Sequence, residues 1–356
     1  MKLNLVLRIN VIALAFALCG SAAAAGKGAL KPTRDWTKYP AVVEVDTNED
    51  VFAISDAHAD YTRLAGVLAA AKIIGAVPEK PEQVVWIAGK SVLVVIGDMV
   101  DKWKHSVKVI DLIRALQKSA AAQGGQVIVT MGNHEAEFLG DPTGKKTKDF
   151  SDDLIKHNLQ PTSVANCQGD LGQFLCELPI AARVNDWFYC HAGNTNNQSI
   201  QALSSAIVTG FANNGFATKE LVGKNSMLEA RLNKQGPNGL PWFDDGSLKT
   251  DPQKLLSRYA ATLGVHHIVQ GHQPGAVKFP DGQKRNQEDM FQRYGLLFLI
   301  DTGMSRGIAG SKSTGGTLRI SGRNLERAIA ICANGKEETL WDSEANPALS
   351  ARHCGK

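Results

Sequence analysis

Six short apolar runs in this 356-residue chain each end on residues able to bind a divalent cation or a phosphate. They are Asp56-Ala57-His58, Gly97-Asp98 with Asp101, Gly132-Asn133-His134-Glu135, His191-Ala192-Gly193, Gly271-His272 and the Asp301-Thr302-Gly303 turn. The donors are hard oxygens and borderline imidazoles. Spread over two divalent metal ions that share one carboxylate, this mixture suits Mn, Fe or Zn better than Ca or a thiolate-bound structural zinc. A lone Asp-x-His carries little weight, since about one such match arises by chance in a chain this long. The ordered set, each member following an apolar run, supplies enough ligands for two metals.

Elements at suitable spacing stand behind these residues. Residues 51–55 read as a buried strand, and beyond the Asp56 loop Leu64, Val67, Leu68 and Ala71 share one face of a helix that stops at Gly75. Residues 91–96 repeat the pattern, with a helix through Ile110, Ile113 and Leu116 that ends at Gly124-Gly125, and 126–131 form a third strand. Residues 187–190, 267–270 and 296–300 supply three more, and 317–340 reads as a meander with an Asn334-Gly335 hairpin turn. Open α/β sheets gather ligands at the carboxyl ends of their strands, where the loops converge. The near-continuous apolar character of the early strands implies burial on both faces, and the later antiparallel strands imply a mixed sheet or a second sheet packed on the first. Residues 140–176 and 194–251, rich in Asn, Gly, Lys and Gln, read as insertions that wall the site of an α/β domain spanning 41–341.

With 44% hydrophobic and 21% charged residues, the chain can bury a sizeable core. Residues 1–25 read as a signal peptide: Lys2 and Arg8 give a basic start, 11–19 are apolar, and 21–25 are small. The mature protein is then expected to begin near Gly26 and to be periplasmic or secreted. The apolar stretch is shorter than the roughly 20 residues of a spanning helix, and no later segment resembles one. Cleavage changes the formal charge from +4 to +2, because residues 1–25 hold two basic and no acidic residues. That charge is too small to argue for a nucleic-acid duplex as partner. In an oxidising compartment, Cys167 with Cys176 brackets a short polar loop and Cys332 with Cys354 could tie the tail to the last hairpin. Cys190 then remains as a buried apolar thiol, although sequence leaves the connectivity open.

The residues quoted resemble the calcineurin-like metallophosphoesterases, within them the phosphoprotein phosphatases, and most of all the Shewanella-like branch. The resemblance covers about residues 51–320. It is carried by Gly97-Asp98-Met99-Val100-Asp101, Gly132-Asn133-His134-Glu135, Leu178-Pro179-Ile180 ahead of Cys190-His191-Ala192-Gly193, and Val269-Gln270-Gly271-His272-Gln273-Pro274. His-Ala-Gly and the Asp301-Thr302-Gly303-Met304-Ser305 turn point to the branch. The resemblance implies a four-layer αββα sandwich of two mixed β-sheets with a dinuclear site between them. One metal would take Asp56 and His58, the other Asn133, His191 and His272, and Asp98 would bridge both. A carboxylate is the only candidate among these able to span two cations. The family's chemistry is attack on phosphorus by a bridging hydroxide, with the cations roughly 3.5–4 Å apart. His134 stands where the family places its general acid, and Asp101 would orient that imidazole and favour its protonated form. The alternative for Asp101 is a helix N-cap.

The match breaks in places. Where the family has arginine and glycine after its second aspartate, this chain has Lys102 and Trp103. Lys102 can neutralise phosphate as a point charge without arginine's bidentate fork, and with Asn133 it is assigned to substrate binding. Ser55 and Ala59 occupy positions where glycine is usual. A second phosphate-clamping arginine is implied, with Arg231 and Arg306 as candidates against a surface role for each. Trp103, Trp242 and Phe243 either line a pocket for an aromatic leaving group or simply pack. His266 and His267 are not expected to bind metal, and His105, His157 and the Lys145-Lys146-Lys148 run are expected on a solvated surface.

The leading expectation is a phosphomonoesterase acting on phosphotyrosine or phosphoserine/threonine in proteins or peptides. Export and Lys102 favour an alternative, an exported small-molecule phosphatase or nucleotidase with the same site. A catalytically inactive binding module is disfavoured by the complete ligand set with His134.

Overall fold

The computed structural model describes residues 34–232, 251–279, 281–321 and 326–355. Residues 1–25, read from the sequence as a signal peptide, and Trp242 and Phe243 lie outside them. Strands Val51–Ile54, Val92–Ile96 and Gln126–Thr130 run parallel to one another. The meander Gly316–Ser321, Arg327–Cys332 and Glu337–Asp342 adds antiparallel against Val51–Ile54, completing a six-stranded mixed sheet. A seven-stranded mixed sheet has the order Val42–Val45, Ala181–Val184, Trp187–Cys190, His267–Gln270, Leu297–Leu299, Asp289–Arg293, Leu349–His353.

Alternation along the strands explains the layering, since successive side chains point to opposite faces. Val51, Ala53, Val92, Val94 and Ile96 share one core with Trp187, Tyr189, Val269 and Phe298 of the other sheet. Phe52, Ile54, Leu93 and Val95 belong instead to the core containing Leu64, Leu68, Ile110, Ile113 and Leu116, from helices Tyr61–Ala70 and Ser106–Ala121. Phe188, Ile268 and Leu297 belong to the same core as Leu255 and Leu256 of helix Pro252–Leu263. Strands buried on both faces read as unbroken apolar runs for this reason. Each large side chain so enclosed contributes about 1.5–3 kcal/mol of transfer free energy.

The first helix ends at Ala70, five residues before Gly75. Lys72 adopts φ 56°, and the Ile73 N–H closes back on the Leu68 carbonyl at 2.9 Å. A lysine thus occupies the left-handed position usually taken by glycine after a helix. Strands Val42–Val45, Ala181–Val184 and Leu349–His353 carried too little periodicity to be anticipated.

The first insertion is helical, with Lys148–Lys156, Pro161–Ala165 and Gly169–Glu177. The described part of the second holds Ile200–Asn214 and Lys219–Val222. Disulfides join Cys167 to Cys176 and Cys332 to Cys354, and Cys190 is a buried thiol that burial pushes up to about 12. Among the described residues no helix is long and apolar enough to cross a membrane.

Candidate metal centre

The loops leaving the carboxyl ends of the strands concentrate unusual backbone. Asp56, His58, Ala59, Asp98, Asp101, Lys102 and His272 all have positive φ, between 39° and 67°. For a residue with a Cβ this region costs roughly 1–2 kcal/mol, and tertiary bonds hold it in place. The N–H groups of Asp56, His58 and Ala59 donate to the carbonyls of Gly97, Asp98 and Met99 at 3.2, 2.9 and 2.8 Å. Of the two positions where glycine is usual, Ala59 therefore occupies the left-handed region, and the neighbouring loop restrains it.

Three imidazoles are oriented by backbone carbonyls. His58 Nδ1 lies 3.2 Å from the Val100 oxygen, His191 Nδ1 3.0 Å from that of Ile96, and His272 Nε2 3.2 Å from that of Glu229. A carbonyl only accepts, so these nitrogens donate and the opposite ones turn lone pairs inward. The inward nitrogens meet acceptors. His58 Nε2 and His191 Nε2 lie 3.5 and 3.3 Å from Asp98 Oδ2, and Asn133 Oδ1 is 3.0 Å from both His191 Nε2 and His272 Nδ1. The Asn133 amide nitrogen is turned away, toward Glu229 Oε1 at 3.4 Å. Lone pairs converging in a buried pocket repel unless positive charge stands between them, so this donor set fits divalent cations. His191 registers the same demand: burial works against its charge, yet the Asp98 carboxylate outweighs it and holds the imidazole up at about 10. Burial prevails at His58, which is pushed down to about 3.

Two donor groups each fall within 4.8 Å: His58, Asp98 and His134, and Asp98, His191 and His272. Asp98 is common to both. Asp56 stands slightly further off, 3.9 Å from His58 Nε2, and accepts the His272 N–H at 3.2 and 3.0 Å on its two oxygens. Burial, and next Asp301, push its carboxyl well above the usual range. A Cβ at Gly271 would fall 2.3 Å from Asp56 Oδ2, and one at Gly132 2.3 Å from Asp98 Oδ1. Glycine at both positions lets backbone close on the carboxylates.

Helix Asn133–Gly140 begins inside the site. Asp98 Oδ1 accepts the His134 N–H at 3.0 Å, which leaves Oδ2 facing the imidazoles. Glu135 reaches back, its Oε2 accepting from Gly132 and Asp98 at 2.8 and 2.9 Å and its Oε1 from Met99 and Val100 at 2.7 and 3.3 Å. Sequence reasoning gave Glu135 no role, although Gly-x-x-Glu at a helix start signals such a backward reach.

His134 Nδ1 lies 3.1 Å from Asp101 Oδ2, and its Nε2 is 4.0 Å from Asp98 Oδ2. Burial lowers the basicity of His134, but Asp98 and then Asp101 raise it further, and the net shift is upward. Asp101 is not the N-cap of the helix that follows it, a place taken by His105. Its other oxygen accepts the Phe150 N–H at 2.8 Å, in the first turn of Lys148–Lys156. It orients the histidine and caps a helix of the insertion at once.

The cationic surroundings differ from expectation. Arg306 is bound to Asp60 through Nε and Nη2 at 2.9 and 2.6 Å, which pairs its charge with that carboxylate. Its guanidinium and the Lys104 ammonium lie 5.6 and 5.1 Å from the centre of the half-buried Trp103 ring. Arg231 is half-buried and donates to the His272 carbonyl at 3.2 Å, beside the site. Lys102 is exposed, with its charge felt at both His58 and His134. Lys146 is not merely solvated: it pairs with Glu137 and stands 3.6 Å from Glu229 Oε1. His266 is exposed, and His267 stacks on Trp187 at 3.9 Å. Two further residues had no sequence signal. Glu229 holds both Asn133 and His272, and buried Arg285 donates to the carbonyls of Gln273, Gly275, Asp289 and Asp301.

Comparisons with known proteins agree with this geometry. Residues 50–276 match the family described as calcineurin-like phosphoesterase. An uncharacterised protein of Schizosaccharomyces pombe is 25% identical over 318 residues, covering 84% of this chain and 83% of that protein. Shewanella-like protein phosphatase 1 of Plasmodium berghei is 28% identical over 167 residues, 46% of this chain and 44% of its own length. The solved cold-active protein-tyrosine phosphatase of a psychrophilic Shewanella species shares the fold, with TM-score 0.61 and 21% identity over 83% of this chain and 82% of that one. A cold-active protein tyrosine phosphatase solved at 1.1 Å aligns with TM-score 0.62 and 20% identity over 85% of this chain and 82% of that one. A family match across most of the chain, on a fold that gathers the ligand loops at one point, places this protein among the calcineurin-like phosphoesterases, hydrolases of phosphate esters.

Proposed function

We propose that this protein is an exported phosphomonoesterase that removes phosphate from phosphotyrosine or phosphoserine/threonine in proteins or peptides. The observation that carries the reading is the convergence of lone pairs from His58, Asp98, Asn133, His191 and His272 beside the His134–Asp101 pair. Asp56, His58 and Asp98 would hold one cation, and Asp98, Asn133, His191 and His272 the other, with Mn, Fe or Zn matching the donor types. Bound there, the cations supply Lewis-acid activation of the phosphoryl group and of the attacking water. His134 transfers its Nε2 proton to the leaving oxygen as the P–O bond breaks, while Asp101 holds the Nδ1–H and stabilises the charged ring. Lys102 and Arg231 neutralise the phosphate oxygens.

The relatives named as protein phosphatases support the substrate class. Residues 1–25 support export, and two disulfides suit an oxidising compartment. The full chain, loaded in turn with Mn, Fe and Zn, is assayed on phosphopeptides, nucleotides and a phosphodiester. Preferential phosphopeptide hydrolysis supports the proposal, a strong nucleotide preference replaces its substrate class, and two bound metals without any hydrolysis overturns it. Mass spectrometry of the expressed chain tests export through a mature start near Gly26.

A further inference from the structure

Two helices in this fold exchange caps. Helix Ser106–Ala121 begins after His105, which gives no side-chain cap, and Lys148–Lys156 begins after Thr147, which gives none either. A carboxylate from the other side of the contact serves each of them. Asp101, on the loop leading into the first helix, accepts the Phe150 N–H of the second at 2.8 Å. Asp153, on the second helix, accepts the Val107 N–H of the first at 3.0 Å. A third bond closes the ring, from the Asp101 N–H to Ser106 Oγ at 3.2 Å. Asp101 and Asp153 are 1% and 3% exposed, so water cannot substitute for either bond.

The Asp101 carboxylate therefore has one oxygen on His134 and the other on a helix that belongs to an insertion. Where that helix sits decides where the oxygen facing His134 points. We infer that Asp153 is a positioning residue for phosphoester cleavage: by docking Lys148–Lys156 on the start of Ser106–Ala121, it aligns Asp101 and through it the His134 imidazole. The inference rests on the reading of His134 as proton donor to the leaving group. It assigns part of the 140–176 insertion to the chemistry itself, beyond forming a wall around the site.

A proton donor matters most when the leaving group is a poor one. The test compares metal-loaded full-length wild type with Asp153→Ala and Val107→Pro on an alkyl phosphate and on p-nitrophenyl phosphate, with metal content measured in each. Val107 is the second residue of the helix, where the backbone tolerates proline and the donor to Asp153 is lost, while the ring refills part of the buried space left by the valine side chain. Both variants should lose about 10- to 100-fold in kcat on the alkyl ester and less than about 3-fold on the aryl ester. KM and metal content should hold. Asp153→Asn, which keeps an accepting oxygen, should restore most of the alkyl activity. Equal losses on both esters, or loss of metal, would assign Asp153 a general structural role and overturn the inference. Should Asp153→Ala not fold, Val107→Pro decides by the same ratio. His134→Asn is run alongside. If it is leaving-group selective while Asp153→Ala and Val107→Pro are not, this inference alone fails; if it is unselective, the proton-donor reading falls and takes the inference with it.

Discussion

His134 and Asp101, 33 residues apart in sequence, form a buried pair with Nδ1 and Oδ2 3.1 Å apart, beside a carboxylate that three imidazoles face. The carboxylate fixes the ring so that Nε2 points toward Asp98. That geometry suits a histidine that carries a proton and delivers it once. Replacing His134 with Asn should leave metal content intact and reduce kcat on alkyl phosphates by about 10²- to 10⁴-fold, with a smaller loss on p-nitrophenyl phosphate. Steady-state kinetics on the two esters checks this, and equal losses would remove the acid role.

Asp98 faces His58, His191 and His134 with one oxygen and holds the His134 N–H with the other. Asparagine tolerates its left-handed backbone, φ 51°, and can still accept from that N–H. Asp98→Asn should therefore fold while losing the charge shared by both donor groups. Isothermal titration should show metal affinity down at least about 100-fold, with activity falling in step. Full activity at normal metal content would refute the bridging assignment.

Glu135 gathers four backbone N–H groups from two loops that carry Asp98 and Asn133. Glutamine at this position turns an amide donor toward donors that need an acceptor. Glu135→Gln should cost about 1–3 kcal/mol in denaturant unfolding, the usual penalty of a buried unsatisfied group, and should weaken metal binding. Unchanged stability would mean that the loops are held by other bonds.

His267 links stability to pH away from the metal centre. Burial pushes it from 6.5 down to about 4, so between those values the unfolded chain binds more protons than the folded one. Its contribution is complete above pH 6.5, declines as pH falls through this window and levels off below about 4. The full change is at most about 3 kcal/mol. His267→Phe, which can keep the stack on Trp187, should flatten the pH dependence of unfolding free energy between pH 6.5 and 4. An unaltered slope would show that His267 is not the group responsible.

Much of this protein was legible in its residues because strand ends and ligands coincide. An apolar run followed by Asp56, Asp98, Asn133, His191 or His272 states both that a strand is buried and that its end bears a donor, and the two sheets then bring those ends together. Both disulfides are pairings that the cysteine spacing offered, but the structure supplied the connectivity. The signals failed where a partner comes from a distant segment. Nothing local marks Arg306 as bound to Asp60, Arg231 as turned onto the His272 carbonyl, or Glu229 as the support of two donors.

Sequence by itself therefore determined the donor types, their order and the class of chemistry, since these depend on side-chain identity at the ends of strands. Tertiary structure alone decided which nitrogen of each imidazole faces inward, that Arg231 rests on the His272 carbonyl, and that Asp101 is held by a helix some fifty residues away. The physical reason is that a hydrogen bond depends on angle and distance between groups, and segments remote in sequence acquire those only when the sheets and helices have packed.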